Sequence, residues 1–255
     1  MIARLLLALA LLLPLPVLAQ EEIVAGLSQN RVQITTDFNG SAILIYGAIK
    51  RSAPDPMAPA LAVVVTVEGP SFPLTIRKKD RVAGIWLNTE SVGVNAAPSF
   101  YAVATSAPLA ESLSETDDLR YRITLQHLIQ AIGISGEAEN SEDFIAALER
   151  VRIQQGRYRI EENSVQLVEN TLFRADVTLP SDLVEGNYKV RMFITRGGRV
   201  LDMKESTIFV RKAGLERFLF NLAQQQPFLY GLLSLVIAAL AGWGASEAFR
   251  VLRNR

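Results

Sequence analysis

The sequence contains no cysteine, and its 255 residues include a single histidine, His127. The lack of cysteine excludes disulfide bonds, thiolate nucleophiles and thiolate metal sites. One histidine cannot share a metal ion with another, and no serine-centred nucleophile motif accompanies His127. We therefore interpret His127 as a boundary residue beside the apolar face of a helix. We predict that the protein is not an enzyme, with no catalytic residue, no metal and no cofactor.

The sequence also lacks an excess of charge of either sign, with 26 lysine and arginine residues against 26 aspartate and glutamate residues. This balance gives no support for a nucleic-acid partner. The densest positive cluster is Arg77, Lys78, Lys79 and Arg81, which we consider as a candidate anion patch. The favoured interpretation is a solvated hairpin tip, because lysines at tips and edges protect sheets from aggregation.

Acidic residues are concentrated at Glu137, Glu139, Glu142 and Asp143. Carboxylate oxygens suit calcium, but the spacing here lacks the Asx-rich loop and the glycine of a calcium-binding loop. We interpret these residues as negative charge at the start of a helix, where the backbone dipole favours it.

Long apolar runs occur only near the two ends of the sequence. Residues 5–13 are too few to cross a bilayer core of about 30 Å, and they lie between Arg4 and a small-residue cleavage pattern at residues 17–19. We predict a signal peptide over residues 1–19. Residues 228–245 carry no charge, and we predict a transmembrane helix over residues 227–249.

These two segments predict a topology. Export places the following domain outside the cytoplasm, and Arg250, Arg253 and Arg255 favour a cytoplasmic tail over residues 250–255. We expect a single-pass protein of a bacterial inner membrane with a large periplasmic N-terminal domain. The lipid bilayer is then its first partner.

Most of the exported chain has the period-two alternation of β-strands. Residues 31–38 and 41–49 flank Asn39-Gly40, which predicts a hairpin, and residues 61–67 predict a buried strand. Residues 72–77 and 82–88 predict a second hairpin with Lys78-Lys79-Asp80 at its tip. Further strands are predicted at residues 99–105, 173–179, 188–194 and 200–210.

The middle of the chain has a helical period instead. Apolar residues recur at spacings of three and four over residues 117–132, and a second helix is predicted to begin after Asn140-Ser141 and to stop at Gly156. The resulting division is a β-rich part at residues 20–110, a helical insertion at residues 111–156 and a β-rich part at residues 157–211.

One local pattern indicates the type of β-fold. Leu183, Gly186, Tyr188 and Val190 are spaced as in the tyrosine corner of immunoglobulin-like sandwiches. We predict a mainly β protein with an immunoglobulin-like sandwich, a helical insertion and one C-terminal transmembrane helix. Two small β units separated by helices also fit. Trp86, Phe100 and Tyr101 are assigned to the core rather than to an aromatic recognition surface.

The segment before the predicted transmembrane helix is amphipathic. Leu215, Phe218, Leu219 and Leu222 predict a juxtamembrane helix over residues 212–226 that lies on the bilayer surface. Within the transmembrane helix, small side chains recur every three or four residues, which predicts close packing against another membrane helix. These residues are Gly231, Ser234, Ala238, Gly242 and Ala245.

Three sequence stretches resemble a known family when taken together with the C-terminal helix. They are Arg77-Lys78-Lys79, residues 83–88 and residues 98–104. The chain is similar over nearly all of its mature length to the alphaproteobacterial Putative transmembrane protein family, which is functionally uncharacterised. The resemblance implies an inner-membrane protein with a periplasmic domain and an association with anion exporters, and it supplies no catalytic residues.

Two functional hypotheses follow. The first is a non-enzymatic protein-interaction domain that binds another inner-membrane or periplasmic protein, as an accessory to a membrane transporter such as an anion exporter. The second is a periplasmic domain that binds a small ligand or anion at residues 77–81 and is held by a simple membrane anchor.

Overall fold

The computed structural model describes residues 21–35, 38–51, 59–131, 141–212 and 215–253. The predicted signal peptide and the side chains of Glu137 and Glu139 lie outside the described residues. The strands are β1 Glu22–Leu27, β2 Arg31–Ile34, β3 Ser41–Lys50, β4 Leu61–Glu68, β5 Ser71–Val82, β6 Ile85–Pro98, β7 Tyr101–Thr105, β8 Gln130–Ala131, β9 Tyr158–Glu161, β10 Gln166–Val168, β11 Leu172–Leu179, β12 Gly186–Arg196 and β13 Arg199–Lys212. The helices are α1 Leu109–Ser112, α2 Glu115–Tyr121, α3 Leu125–Leu128, α4 Ser141–Gln154, α5 Leu215–Gln225 and α6 Pro227–Arg253.

The strands form a sandwich of two larger sheets and a smaller third sheet. The four-stranded sheet has the order β1-β3-β11-β10, and the six-stranded sheet has the order β2-β13-β12-β4-β7-β9. These orders contain the A-B-E-D and G-F-C arrangements of immunoglobulin-like sandwiches, with β2 added at one edge of the second sheet and β7 and β9 at the other. The protein is mainly β, as the sequence predicts. The third sheet has the order β5-β6-β8.

The main core lies between the four-stranded and six-stranded sheets. In β11, alternate residues from Phe173 to Leu179 are buried and the intervening residues are exposed, because one face meets the core and the other meets solvent. Ile43 and Ile45 of β3 belong to the same buried cluster as Val190 and Met192 of β12. This packing makes one sandwich rather than two separate β units.

The six-stranded sheet is covered on both faces. Val63, Val65 and Val67 of β4 belong to the main core, whereas Val64 belongs to a second core with Tyr101, Phe193 and residues of the helical insertion. The insertion and the β5–β6 hairpin therefore form a third layer. Double burial explains why residues 61–67 are apolar at every position except Thr66 instead of alternating.

The tyrosine corner is confirmed. The Tyr188 hydroxyl donates a hydrogen bond to the Val184 carbonyl at 3.0 Å. Val190, two residues later, is fully buried and occupies the place where antibody domains have a cysteine. Phe100 and Tyr101 are also buried, as predicted.

The predicted hairpin at Asn39-Gly40 is wrong. β2 pairs in parallel with β13, whereas β3 pairs with β1 and β11 in the opposite sheet. Gly40 has a φ of +103°, so this pair does provide the positive φ that the motif indicates. The chain passes from one sheet to the other here, since β2 and β3 pair with strands of different sheets.

The single helix predicted over residues 117–132 is also wrong. It is divided into α2 and α3, and the second half of the prediction includes β8. Arg122 ends α2 in the left-handed conformation with a φ of 53°. The apolar period continues across the break because Tyr121, Leu125 and Leu128 all contact the second core. The second predicted helix is confirmed as α4, and Gly156 follows it with a φ of +68°.

The second predicted hairpin is present, but its tip is misplaced. β5 continues through Lys78-Lys79-Asp80 to Val82, and the chain turns at Ala83-Gly84. The assignment of Trp86 to the core is wrong for the same reason: Trp86 lies two residues after the turn and is 66% exposed. Alternation places a side chain on one face of a strand, but it does not show whether another layer covers that face.

Candidate functional site

The distal half of the β5–β6 hairpin protrudes from the sandwich. Every residue from 77 to 89 is exposed, and we call this segment the hairpin arm. Its turn residues Ala83 and Gly84 have φ values of 51° and 85°, which is the positive-φ pair of a type I′ hairpin turn. Closer to the domain, Leu74, Ile76 and Val94 pack against the second core and hold the arm at its base.

The structure divides the predicted anion patch between the two faces of the arm. Strand alternation places Arg77, Lys79 and Arg81 on one face and Lys78 on the other. Lys78 Nζ donates a hydrogen bond to Glu90 Oε1 at 3.0 Å, and this bond raises the pKa of Lys78. The positive charge of Lys78 is thus paired with the carboxylate of Glu90. The other three predicted cations remain together on the opposite face.

The end of the arm carries apolar side chains. Val82, Ile85, Trp86 and Leu87 are exposed at 47%, 65%, 66% and 49%, and we call them the apolar tip. Arg81 lies opposite Trp86 and Val82 lies opposite Ile85 in the strand register. The sequence carries a signal for this feature, since Ala83-Gly84 is a turn pair between two apolar positions, but the neighbouring Lys78-Lys79-Asp80 is a competing turn signal.

His127 belongs to a polar cluster built on Asp118. Asp118 is 5% exposed, and its carboxylate accepts hydrogen bonds from the amides of Ile123 and Thr124 and from the Thr124 hydroxyl. His127 Nδ1 lies 2.8 Å from Asp118 Oδ2. The histidine is therefore a boundary residue held by a buried carboxylate, with Nε2 lying 3.5 Å from Glu115 Oε1.

The fold brings distant carboxylates beside this histidine. A cavity of about 510 Å³ is lined by Gln126 and His127 from α3 and by Glu142, Asp143 and Glu149 from α4, with Ile145 and Ala146. Partial burial raises the pKa of Glu149. None of these lining side chains carries a hydroxyl or thiol nucleophile. Among the described residues, no group of three or more His, Asp or Glu side chains is arranged to hold a metal ion.

A second cavity has a basic lining that the sequence did not indicate. Its volume is about 300 Å³, and Arg122, Lys189 and Arg191 contribute three cations against the single carboxylate of Glu68. Arg191 Nη1 donates to the Tyr121 carbonyl at 2.6 Å, and Nη2 donates to the Arg122 carbonyl at 3.2 Å. Arg191 Nε is buried and makes no hydrogen bond within the described part of the chain.

A buried tyrosine forms one side of the Arg191 environment. The Tyr101 hydroxyl donates to the Ile123 carbonyl at 2.6 Å and lies 3.5 Å from Arg191 Nη2. Burial raises the pKa of Tyr101, so the phenol stays protonated and neutral. Arg191 was not predicted because it alternates with buried residues of β12 like any outward-facing strand residue. Only the insertion packed over it converts that position into a cavity wall.

The C-terminal helices have the predicted order. α5 occupies the predicted juxtamembrane segment, although Lys212 belongs to β13, and Phe220 of α5 is 64% exposed. Among the described residues, one helix is long and apolar enough to cross a membrane, with its span at Pro227–Ser246 of α6. The predicted small residues Gly231, Ser234, Ala238, Gly242 and Ala245 lie exposed on one face of α6, and helical geometry alone accounts for their alignment. The Ser234 hydroxyl donates to the Tyr230 carbonyl at 2.8 Å.

Comparison with known proteins connects this architecture to a family. No curated protein matches the chain. The model of the family described as Putative transmembrane protein (Alph_Pro_TM) matches residues 22–251, from β1 through most of α6. The single long apolar helix agrees with that description. The chain belongs to the Putative transmembrane protein (Alph_Pro_TM) family.

Proposed function

We propose that this protein is a single-pass inner-membrane accessory protein that acts by binding rather than by catalysis. Its sandwich lies in the periplasm, and α6 associates with a helix of another membrane protein, such as a transporter. The observation that carries this proposal is the isolation of α6, whose span has none of its residues buried against the rest of the structure.

The sequence on either side of α6 supports the orientation. Arg250, Arg253 and Arg255 follow the span closely, and basic residues next to a span favour the cytoplasmic side. The apolar run at residues 5–13 has the length of the apolar region of a signal peptide and supports export of the sandwich. Both features favour the same topology.

The small-residue face of α6 supports a helix partner. Lipid tails cover an apolar helix as well as another helix does, so association in a bilayer depends on close packing and not on apolar character. Gly231, Ala238 and Gly242 allow a neighbouring backbone to approach closely, and the hydroxyl of Ser234 is satisfied within its own helix. Larger side chains on this face would separate the two helices.

The test is affinity purification of the full-length protein from its host in a gentle detergent, followed by mass spectrometry. We expect a membrane protein to co-purify with the wild type and to be lost when Ser234, Ala238 and Gly242 are all replaced by leucine. The matched control replaces Ala239 and Gly244 by leucine, because these small residues lie away from the face. A partner retained by the triple variant, or lost equally from the control, contradicts the proposed contact.

A second candidate function is the binding of a small anion in the cavity around Arg191. The predicted patch at residues 77–81 is divided between two faces, whereas Arg122, Lys189 and Arg191 line one cavity and the Nε of Arg191 lacks a described partner.

The anion-binding function is tested with sulfate and phosphate as the probes and the unfolding temperature as the readout. We expect the stabilisation to be lost in Lys189→Glu and kept in Lys79→Glu on the arm. If the anion-dependent stabilisation were lost only in Lys79→Glu, the anion site would lie at residues 77–81 and not in the cavity.

A further inference from the structure

The apolar tip of the hairpin arm exposes hydrophobic side chains on both of its faces. Cross-strand partners share a face, so Trp86 lies with Arg81, while Ile85 lies with Val82 and Leu87 lies with Asp80 on the opposite face. A two-stranded tip of this kind has no core of its own. Whatever covers it must surround it, and a flat protein surface would cover only one of the two faces.

The residues behind the tip form a band of positive charge. Arg77, Lys79 and Arg81 share the face of Trp86, and all three are exposed. Asp80 is the acidic residue nearest the turn, and its Oδ1 accepts a hydrogen bond from the Arg81 amide at 2.7 Å. Apolar residues at the end and cations behind them match the two zones of a bilayer surface, which are acyl chains below and anionic headgroups above.

We propose that the apolar tip inserts into the interface of an anionic lipid bilayer, with Arg77, Lys79 and Arg81 in contact with the headgroups. Trp86 suits this role because tryptophan places an apolar ring and a polar N–H at the level of the headgroups. The turn residues Ala83 and Gly84 add no charged group at the deepest point. A fluid bilayer can cover both faces of the tip at once.

The β5–β6 hairpin and the C-terminal segment that leads to the anchor connect to the sandwich at the same end. Pro70, which precedes β5, packs so closely on Gly186 that a Cβ there would lie 2.7 Å from Pro70 Cγ. Gly186 pairs with Val210, and β13 ends two residues later at Lys212, from which the chain continues to α5 and α6. The anchor thus holds the protein at a membrane, and insertion of the tip would attach it at a second point.

The tip provides its own reporter. The protein has two tryptophans, Trp86 and Trp243, so Trp243→Phe leaves only the one on the arm. This full-length variant is reconstituted into vesicles of phosphatidylcholine with or without phosphatidylglycerol, and Trp86 fluorescence is measured with and without brominated acyl chains. We expect a blue-shifted emission and strong quenching in the anionic vesicles. Bromine in both leaflets makes the signal independent of the orientation of the protein.

Two sets of substitutions separate the charge from the apolar contact. Reversal of Arg77, Lys79 and Arg81 to glutamate is expected to lower the ratio of inserted to free tips by at least about 100-fold, which abolishes the quenching. Ile85→Ser with Leu87→Ser keeps the cations and the reporter and is expected to remove the blue shift. The matched control reverses the exposed Arg150, Arg199 and Lys204 and is expected to leave the quenching unchanged.

Other results overturn the proposal. It is wrong if Trp86 keeps a water-like emission in anionic vesicles, or if quenching is equal with and without phosphatidylglycerol. Shielding of Trp86 that requires a co-purified protein and shows no lipid quenching also overturns it, in favour of a protein partner. Because Trp86 lies outside both cores, an unchanged unfolding temperature checks that each variant is folded. The result is also independent of the helix partner proposed for α6.

Discussion

Asp118 shows how one buried side chain sets the local path of the chain. Its carboxylate accepts hydrogen bonds from two backbone amides, from the Thr124 hydroxyl and from His127. These bonds fix the left-handed Arg122 between α2 and α3 and position Ile123 in the second core. The polar cluster thus stabilises the insertion, and it holds His127 at the cavity shared with α4.

Replacement of Asp118 tests this role. An asparagine has one carbonyl oxygen, so Asp118→Asn leaves buried donors without an acceptor and is expected to cost about 2–3 kcal/mol of stability. His127→Ala removes one of the four bonds and is expected to cost less, and Asp143→Asn on the exposed start of α4 serves as the control. Thermal unfolding of the full-length variants is expected to show the largest loss of stability for Asp118→Asn, a smaller loss for His127→Ala and the smallest for Asp143→Asn. A variant Asp118→Asn as stable as the wild type would show that the cluster contributes little.

Tyr158 gives the protein a predicted sensitivity to alkali. Its hydroxyl donates to the Pro98 carbonyl at 2.9 Å, and burial raises the pKa of Tyr158 to about 12 from its ordinary 10. A raised pKa means that the folded state holds the proton more tightly, so this contribution to stability is complete below pH 10 and is lost as the pH rises towards 12. Burial also raises the pKa of Tyr101 and Tyr188, which adds to the same loss.

The corresponding measurement is the unfolding temperature between pH 8 and 12. The Tyr158→Phe variant loses one hydrogen bond, which is expected to cost about 1 kcal/mol at pH 8. Because phenylalanine cannot ionise, the variant should lose stability less steeply above pH 10, and the two curves should converge. Parallel curves across this range would mean that Tyr158 does not ionise on unfolding.

At the scale of single elements, the sequence predicts strands well and their partners poorly. Residues 173–179 alternate because one face of β11 is buried and the other is solvated, and this information is local. Asn39-Gly40 correctly indicates a positive φ, which Gly40 adopts, but the hydrogen bonds of β2 and β3 go to strands other than each other. The same limit applies to Arg191, whose cavity depends on the insertion lying over β12.

The centre of β3 depends on a glycine for packing rather than for turning. A Cβ at Gly47 would lie 2.6 Å from the Phe173 ring of β11, so Gly47→Ala must displace that ring and is expected to cost about 1–3 kcal/mol. Gly93 of β6 is the matched control, since a Cβ there would contact nothing within 4 Å. Urea unfolding of both variants should show the difference. Equal stability would mean that Phe173 repacks without strain.

At the scale of the whole molecule, the six-stranded sheet organises the fold. It shares one core with the four-stranded sheet and a second with the insertion and the third sheet, so each added layer is fixed to the same strands. The tyrosine-corner motif and the run of strands predict the first of these layers. The third layer follows from Val64, Tyr101 and Phe193 on the reverse face. The sequence shows this face only as consecutive apolar residues in β4 and β7 and at Met192–Ile194 of β12.

This organisation predicts where the chain can be divided. Both cores are built from residues up to Val210, and no described residue of α5 or α6 belongs to either of them. A chain that ends at Lys212 keeps β13 paired with β12 and should fold with an unfolding temperature close to that of the full-length protein. A chain that ends at Gly198 loses Ile208 and Val210 from the main core and should not fold. Circular dichroism during thermal unfolding distinguishes these results. If the longer fragment fails to fold, the anchor stabilises the sandwich directly, and α5 or α6 must make contacts with it that a separate membrane helix would not need.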